Sequence, residues 1–202
     1  MEAFEQFVAI ALETEGFVVS PAVKFPVQLP TRKAAYEEIQ THGYEVDLVA
    51  ANASRLILAT VKSFFGSRGV VAEQVMGTTN DRWRKLYLLL NEPLVRDGVV
   101  SSATTRYGYQ TSQVQLRLYV GRFAGPSKGV HEAKIREWCG SQVVGAGPIQ
   151  VIGLDEVVSK VMGAAANRQY RDNPVLVTLK VLQAAGLLTL ELPAVGDDST
   201  TD

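Results

Sequence analysis

Near the start of the chain, Phe4, Phe7, Val8, Ala11 and Leu12 recur at helical spacing, which predicts an amphipathic helix over 2–15. Gly16 follows, and a glycine just past a helix readily takes the left-handed conformation that ends it. The pattern then turns extended. Phe17, Val18 and Val19 begin one extended stretch and 24–29 forms a second. Pro21 and Pro26 punctuate them and place the second at a sheet edge, where a missing N–H costs no ladder bond. Residues 30–42 are polar and charged and read as an insertion or long loop. Two strands follow, 44–50 (YEVDLVA) and 55–62 (RLILATVK), and the short gap between them predicts an antiparallel hairpin. A helix is predicted within 81–96, around Trp83, Leu86, Tyr87 and Leu90. Residues 113–123 alternate polar and apolar and read as a half-buried strand. A short helix over 131–139, a short apolar strand over 149–152 and a helix over 155–166 come next. Leu154, Val157, Val158, Val161 and Met162 form the stripe of that last helix. Pro174 opens a final helix to about 185, which Gly186 ends. This order of elements predicts an α/β fold with a mixed sheet. It fills a single domain over 1–194, followed by a disordered acidic tail over 195–202.

Composition narrows the chemistry. A chain of 202 residues with 47% apolar and 20% charged residues is neither disordered nor short of core. No apolar run approaches the ~18 residues that span a bilayer, so no membrane partner is expected. The opening MEAFEQF carries Glu where a secretory signal carries Lys or Arg, which points to the cytoplasm. A single cysteine, Cys139, excludes an internal disulfide and a cysteine-based zinc site, and two histidines, His42 and His131, argue against a His-rich metal site. A net charge of −1 excludes a strongly basic nucleic-acid coat and leaves room for a local patch. Chemistry must therefore come mainly from Asp, Glu, Lys, Ser, Thr or Tyr.

The hairpin holds the informative residues. Alternation puts Glu45, Asp47 and Val49 on one face of its first strand, and Leu58, Thr60 and Lys62 on one face of its second. Near-continuous apolar runs suit a sheet covered on both faces. An acid inside one run and a lysine ending the other require a partner, since buried charges are paired. They form either a structural ion pair or an acid–lysine site.

Glu5 in FEQFVAIALETEGFVV, Asp47 in YEVDLVA and Lys62 in LILATVKS, in that order, resemble the PD-(D/E)XK nuclease superfamily, closest to its restriction-endonuclease-like and Holliday-junction-resolvase-like members. The resemblance covers residues 1 to about 120. It implies a restriction-endonuclease-like αβββαβ core, a mixed central sheet flanked by helices, and hydrolysis of phosphodiester bonds in DNA with Mg²⁺ or Mn²⁺. Asp47 and Lys62 would be catalytic, and their substitution would abolish cleavage with little loss of folding. Thr60 stands where the family has its second acid. In that family two acids and a strand carbonyl hold the metal, which polarises the phosphate and acidifies a bound water, while the lysine orients that water or stabilises developing charge. Thr60 offers a hydroxyl without charge, so the implied metal affinity is weak. The candidate metal ligands are Asp47, Glu5 and Glu45, with Glu73 a further source of the lost acid. Glu45 lies about 7 Å along the strand from Asp47, and Glu5 is expected to point towards the Asp47–Lys62 face.

Nucleic-acid contacts would come from Ser63, Ser67 and Arg68 in and beside the FFGSRG loop and from Arg82, Arg84 and Lys85 around Trp83. The bland alternatives are a flexible turn and a solvated helix face. His131 reads as a helix-start residue and Cys139 as a small apolar one. The apolar stretch VLVTLKVLQAAGLLTL is either core or a homodimer face. Three readings stay open: a metal-dependent nuclease acting on DNA; a nuclease-fold module without catalysis that binds nucleic acid or protein; and an unrelated α/β module with a structural ion pair.

Overall fold

The central sheet has five strands, and its mixed character follows from two kinds of connection. In the computed structural model, which describes residues 2–30, 39–125, 129–167 and 172–190, helix α1 (Ala3–Thr14) leads into β1 (Val18–Pro30), β2 (Ile39–Ala51) and β3 (Leu56–Lys62). These three strands pair antiparallel in succession. The chain then makes a long helical crossover through α2 (Ala72–Val75), α3 (Asp81–Arg84), α4 (Leu88–Asn91) and α5 (Pro93–Tyr107) before β4 (Val114–Val120), which lies parallel to β3. Helix α6 (Val130–Ser141), the small hairpin β5 (Val143–Val144) and β6 (Gly147–Pro148), and β7 (Gln150–Gly153) follow, with β7 parallel to β4. Helices α7 (Leu154–Ala166) and α8 (Pro174–Ala184) close the described chain. The sheet order is β1-β2-β3-β4-β7. This is an α/β fold with a mixed sheet between helical layers.

Two apolar cores lie on the two sides of the sheet. On one side, Val8 and Leu12 of α1 and Val157 and Val161 of α7 pack on Leu48, Ala50, Ile57, Ala59 and Ile152. On the other, Val75, Leu90, Val95, Val99, Ile135 and Cys139 cover Val49, Leu58, Leu116 and Leu118. Every residue of β4 is buried, so the expected half-buried alternation is replaced by a strand covered on both faces. Helix α8 rests on α7; Val181 on it and Leu187 just beyond its end are 60% and 76% exposed.

Several boundaries differ from the pattern. Pro21 and Pro26 do not divide β1, because it is an edge strand that pairs on one side alone. The predicted loop over 30–42 is strand at its two ends, Pro30 and residues 39–42; residues 31–38 lie outside the described residues, as does the predicted tail over 195–202. The single helix predicted within 81–96 is three short helical pieces, and α5 runs on to Tyr107. Its buried positions Val95, Val99, Val100 and Ala103 are interleaved with Gly, Ser and Thr, which blurs the stripe.

Beyond the end of the β2–β3 pairing, β1 and β2 continue as a two-stranded ribbon that packs over α5. Val27 of the ribbon meets α5 at Gly98, where a Cβ would lie 2.5 Å from Val27 Cγ1. Ser102 and Arg106 of α5 donate to the backbone carbonyls of Pro26 and Lys24. Gly98→Ala should therefore push the ribbon off α5. The expected loss is about 1–3 kcal/mol, as for other overpacked sites, read as a fall of roughly 5 °C in the thermal midpoint by circular dichroism. An unchanged midpoint would mean that the ribbon is not clamped there.

Candidate functional site

The site forms where β2 peels away from β3. Their ladder runs from Ala51↔Leu56 to Leu48↔Ala59 and stops short of Asp47. The β1–β2 register skips the same point, opposite Ala22, whose φ of 52° is unusual for a residue with a Cβ. The alternation resets there. Val46 packs in the α5-side core and Leu48 in the α1-side core, although two residues apart on a regular strand would share a face.

Asp47 fills the gap. Its Oδ2 accepts from the Val61 N–H at 2.6 Å and from the Thr60 hydroxyl at 3.1 Å. The carboxylate thus replaces the backbone acceptor that β3 loses when β2 departs. Lys62 Nζ lies 3.6 Å from the same oxygen, and the two side chains are only 19% and 23% exposed. The lysine nitrogen also lies 6.0 Å from the centroid of the Tyr87 ring. Tyr87 is buried, its hydroxyl finds no hydrogen-bond partner among the described residues, and burial pushes its pKa up. Thr60, Lys62, Asp47 and Lys85 line a notch of about 110 Å³.

Of the expected metal ligands, Asp47 and Glu45 line this notch, whereas Glu5 and the further candidate Glu73 are engaged elsewhere. The Glu5 carboxylate accepts from the Glu2 N–H at 2.9 Å in a capping box, because the first turn of a helix leaves its N–H groups without partners. Glu45 pairs across the ribbon with Lys24 at 3.8 Å. It also lines the notch beside Asp47, Thr60 and Lys62, as the alternation predicts. Glu73 belongs to a different cluster, 3.7 Å from His131 and 3.6 Å from Lys134. Its own backbone N–H does most to hold its pKa below the ordinary carboxylate value. No group of three His, Cys, Asp or Glu residues that could hold a metal ion is found among the described residues. Asp47 already accepts two hydrogen bonds and faces the Lys62 ammonium, and Glu45 faces Lys24, so each carboxylate of the notch is offset by a lysine. Mg²⁺ and Mn²⁺ want several hard, anionic oxygens, so these residues do not fit the metal that the family resemblance implies.

The expected nucleic-acid contacts separate into two groups. Ser63 donates to the Glu2 carboxylate at 3.2 Å and Ser67 to the Phe64 carbonyl at 3.3 Å, so both hydroxyl protons are committed. Arg84 is paired with Glu92. Arg68, Arg82 and Lys85 are exposed and make no ion pair among the described residues; Arg82 lies over the Trp83 ring at 5.2 Å. His131 sits in the first turn of α6, where its Nδ1 accepts the Ala72 N–H at 3.2 Å. Cys139 is buried, and burial pushes its thiol up to about 12, which leaves it inert.

Two features carry no mark in the hydrophobic pattern. The first is a cleft of about 630 Å³ between the ribbon and α3–α5, lined by Gln40, His42, Tyr44, Lys85, Leu88 and Leu94 among others. Tyr44, Lys85, Leu88 and Val95 line both this cleft and the Asp47–Lys62 notch. The available signal was the spacing of Gln40, His42 and Tyr44, two residues apart, inside a segment that composition marks as a loop. The second lies on the opposite side of the sheet. Buried Arg117 of β4 donates to Glu15 at 2.7 Å, to Gln115 at 3.2 Å and to the Tyr119 hydroxyl at 3.2 Å, and Lys160 pairs with the other Glu15 oxygen. Burial would raise the Glu15 pKa, but the hydrogen bonds and charges of Lys160 and Arg117 outweigh it and hold the group below its ordinary value. Burial also pushes Tyr119 up to about 12.

No family model matches the chain, and no curated protein matches it. Among solved structures, the crystal structure of a protein of unknown function, AF1548, is similar at 17% identity over 91% of this chain and 77% of that one, with a TM-score of 0.42.

Proposed function

We propose that this chain is a nuclease-fold module that binds the phosphodiester backbone of nucleic acid without cleaving it. The observation that carries the reading is the engagement of Asp47. Its carboxylate caps β3 and neutralises Lys62, and the other acid of the notch, Glu45, is paired with Lys24. The acid–lysine arrangement of the nuclease resemblance is kept, with Thr60 in place of the second acid. Lys85 at the notch, with exposed Arg82 and Arg68 nearby in sequence to its elements, supplies cations for phosphate contacts. With a net charge near zero, binding rests on that local patch and falls steeply with salt.

The test uses a fluorescein-labelled oligonucleotide, followed by anisotropy and, in parallel, by denaturing gel with Mg²⁺ or Mn²⁺. Binding without cleavage is expected, and replacing Lys85 with Gln should lower the salt slope by about one phosphate contact. Metal-dependent cleavage that disappears in Asp47→Ala would overturn the reading in favour of an active nuclease. A second measurement tests the charge deficit directly. The thermal midpoint of the parent should not respond to Mn²⁺. Thr60→Glu places a second carboxylate beside Asp47, where the two repel until a cation joins them. That variant should melt lower than the parent without metal and rise when Mn²⁺ is added, because a ligand of the folded state stabilises it. A large rise in the parent would mean that a complete metal site already exists.

A further inference from the structure

The cleft beside the notch has walls of two kinds. Its floor is apolar: Leu29, Leu88 and Val95, with Leu94 58% exposed at its side. An exposed leucine next to an aromatic ring and a few convergent polar groups is the usual composition of a small-molecule site, and a volume of about 630 Å³ is in the range of one. Tyr44 and His42 supply flat rings from one strand face of the ribbon, and Gln40 supplies an amide. Asp81 and Glu92 lie on the helix side. Glu92 is paired with Arg84, which also lines the cleft, and Asp81 can accept from an amino group. A second cation, Lys85, stands at the boundary that the cleft shares with the Asp47–Lys62 notch. The charges of the cleft wall are balanced, so its rings, amide and apolar floor suit a flat, uncharged ring, with an anion held at its Lys85 edge.

Resting on the nucleic-acid reading above, we infer that the cleft takes one unstacked nucleobase whose phosphate lies at Lys85, on the cleft's edge. A base inside a stacked duplex presents only its edges, so the ligand class is a single strand or an extruded nucleotide. The ribbon can hold such a base because its root is fixed to α5 by the Val27–Gly98 contact and by Ser102 and Arg106. The wall carrying His42 and Tyr44 extends from that root.

The experiment compares three labelled probes: a single strand, its blunt duplex, and the same single strand carrying abasic residues. The readout is the ratio of affinities for the intact and abasic strands, which cancels charge effects. Loss of a stacked base should weaken binding roughly 5- to 150-fold, and the duplex should bind more weakly than the single strand. Tyr44→Leu keeps apolar packing and removes the ring; Leu94→Glu fills an exposed side of the cleft without touching the core. Both should bring the intact-to-abasic ratio close to one. Equal affinity of the parent for intact and abasic strands, or ratios unchanged in both variants, would overturn the base site while salt-dependent binding left the phosphate reading standing. Absence of any nucleic-acid binding at low salt would overturn the phosphate reading itself, and the cleft assignment with it.

Discussion

Asp47→Ala should destabilise the protein by about 2–4 kcal/mol, although a carboxylate kept only for catalysis would be lost with little effect on folding. Two penalties add. The Val61 N–H loses its acceptor at a point where no neighbouring strand can replace it, and an unsatisfied buried donor costs about 1–3 kcal/mol. Lys62 loses its counter-charge, a cost tempered by water because its side chain is 19% exposed. The Thr60 hydroxyl is also left without its acceptor. The midpoint should fall by roughly 6–12 °C for a chain of this size. Asp47→Asn keeps an acceptor oxygen and should lose about half as much, and Lys62→Met, which takes the counter-charge from Asp47 but leaves its two hydrogen bonds, should also lose less than Asp47→Ala. Urea unfolding of the three variants checks this order. A fully stable Asp47→Ala would show that the carboxylate is not needed by β3 and is free for other chemistry. The sequence-based expectation of little folding loss at this position is thus replaced by its opposite.

Arg117→Ala is expected to cost about 3–5 kcal/mol, the range found when one partner of a buried ion pair is removed. The substitution strips Gln115 and the Tyr119 hydroxyl of their shared donor and takes the guanidinium from beside the Phe17 ring, 5.8 Å away. Glu15 keeps Lys160 as a partner, which places the loss towards the lower end. The pH dependence has a definite sign. The folded-state pKa of Glu15 is lowered, so its pairing stabilises the protein above the unfolded carboxylate pKa of about 4.3 and that stability is lost as pH falls through the folded value. The difference in thermal midpoint between the parent and Arg117→Met should therefore be larger at pH 7 than near pH 3. An equal difference at both values would mean that Glu15 contributes nothing through Arg117.

The order of elements was legible because it rests on strong local signals. Glycine ends α1, a short gap joins β2 to β3, and Pro174 opens α8. The pairing of Asp47 with Lys62 was legible for a different reason: charges inside apolar strands need each other. The site's geometry was not. Whether Val46 shares a face with Leu48 depends on the positive φ at Ala22, on another strand, and no periodicity within β2 encodes that. Glu5 sits at the spacing the resemblance requires, yet its own helix terminus competes for the carboxylate and wins. Arg117 looked like the outward residue of an alternating strand because the partner that permits its burial, Glu15, lies at the far end of α1. The cleft was hidden because its ribbon wall begins in a segment whose composition is that of a loop.

The parallel pairing of β3 with β4 has a kinetic consequence. The two strands meet along their whole length, yet everything from Ser63 to Gln113 must pass between them. The antiparallel strands β1 to β3 need only short connections or a simple return of the chain, so they can form early. The centre of the sheet has to wait until the entropy of closing that long crossover is recovered by the packing of α2–α5 against it. Contacts of such long sequence separation slow folding. During that wait β3, the most apolar strand of the hairpin side, presents an unpaired edge, and the exposure of that edge is the interval in which association between chains competes with folding.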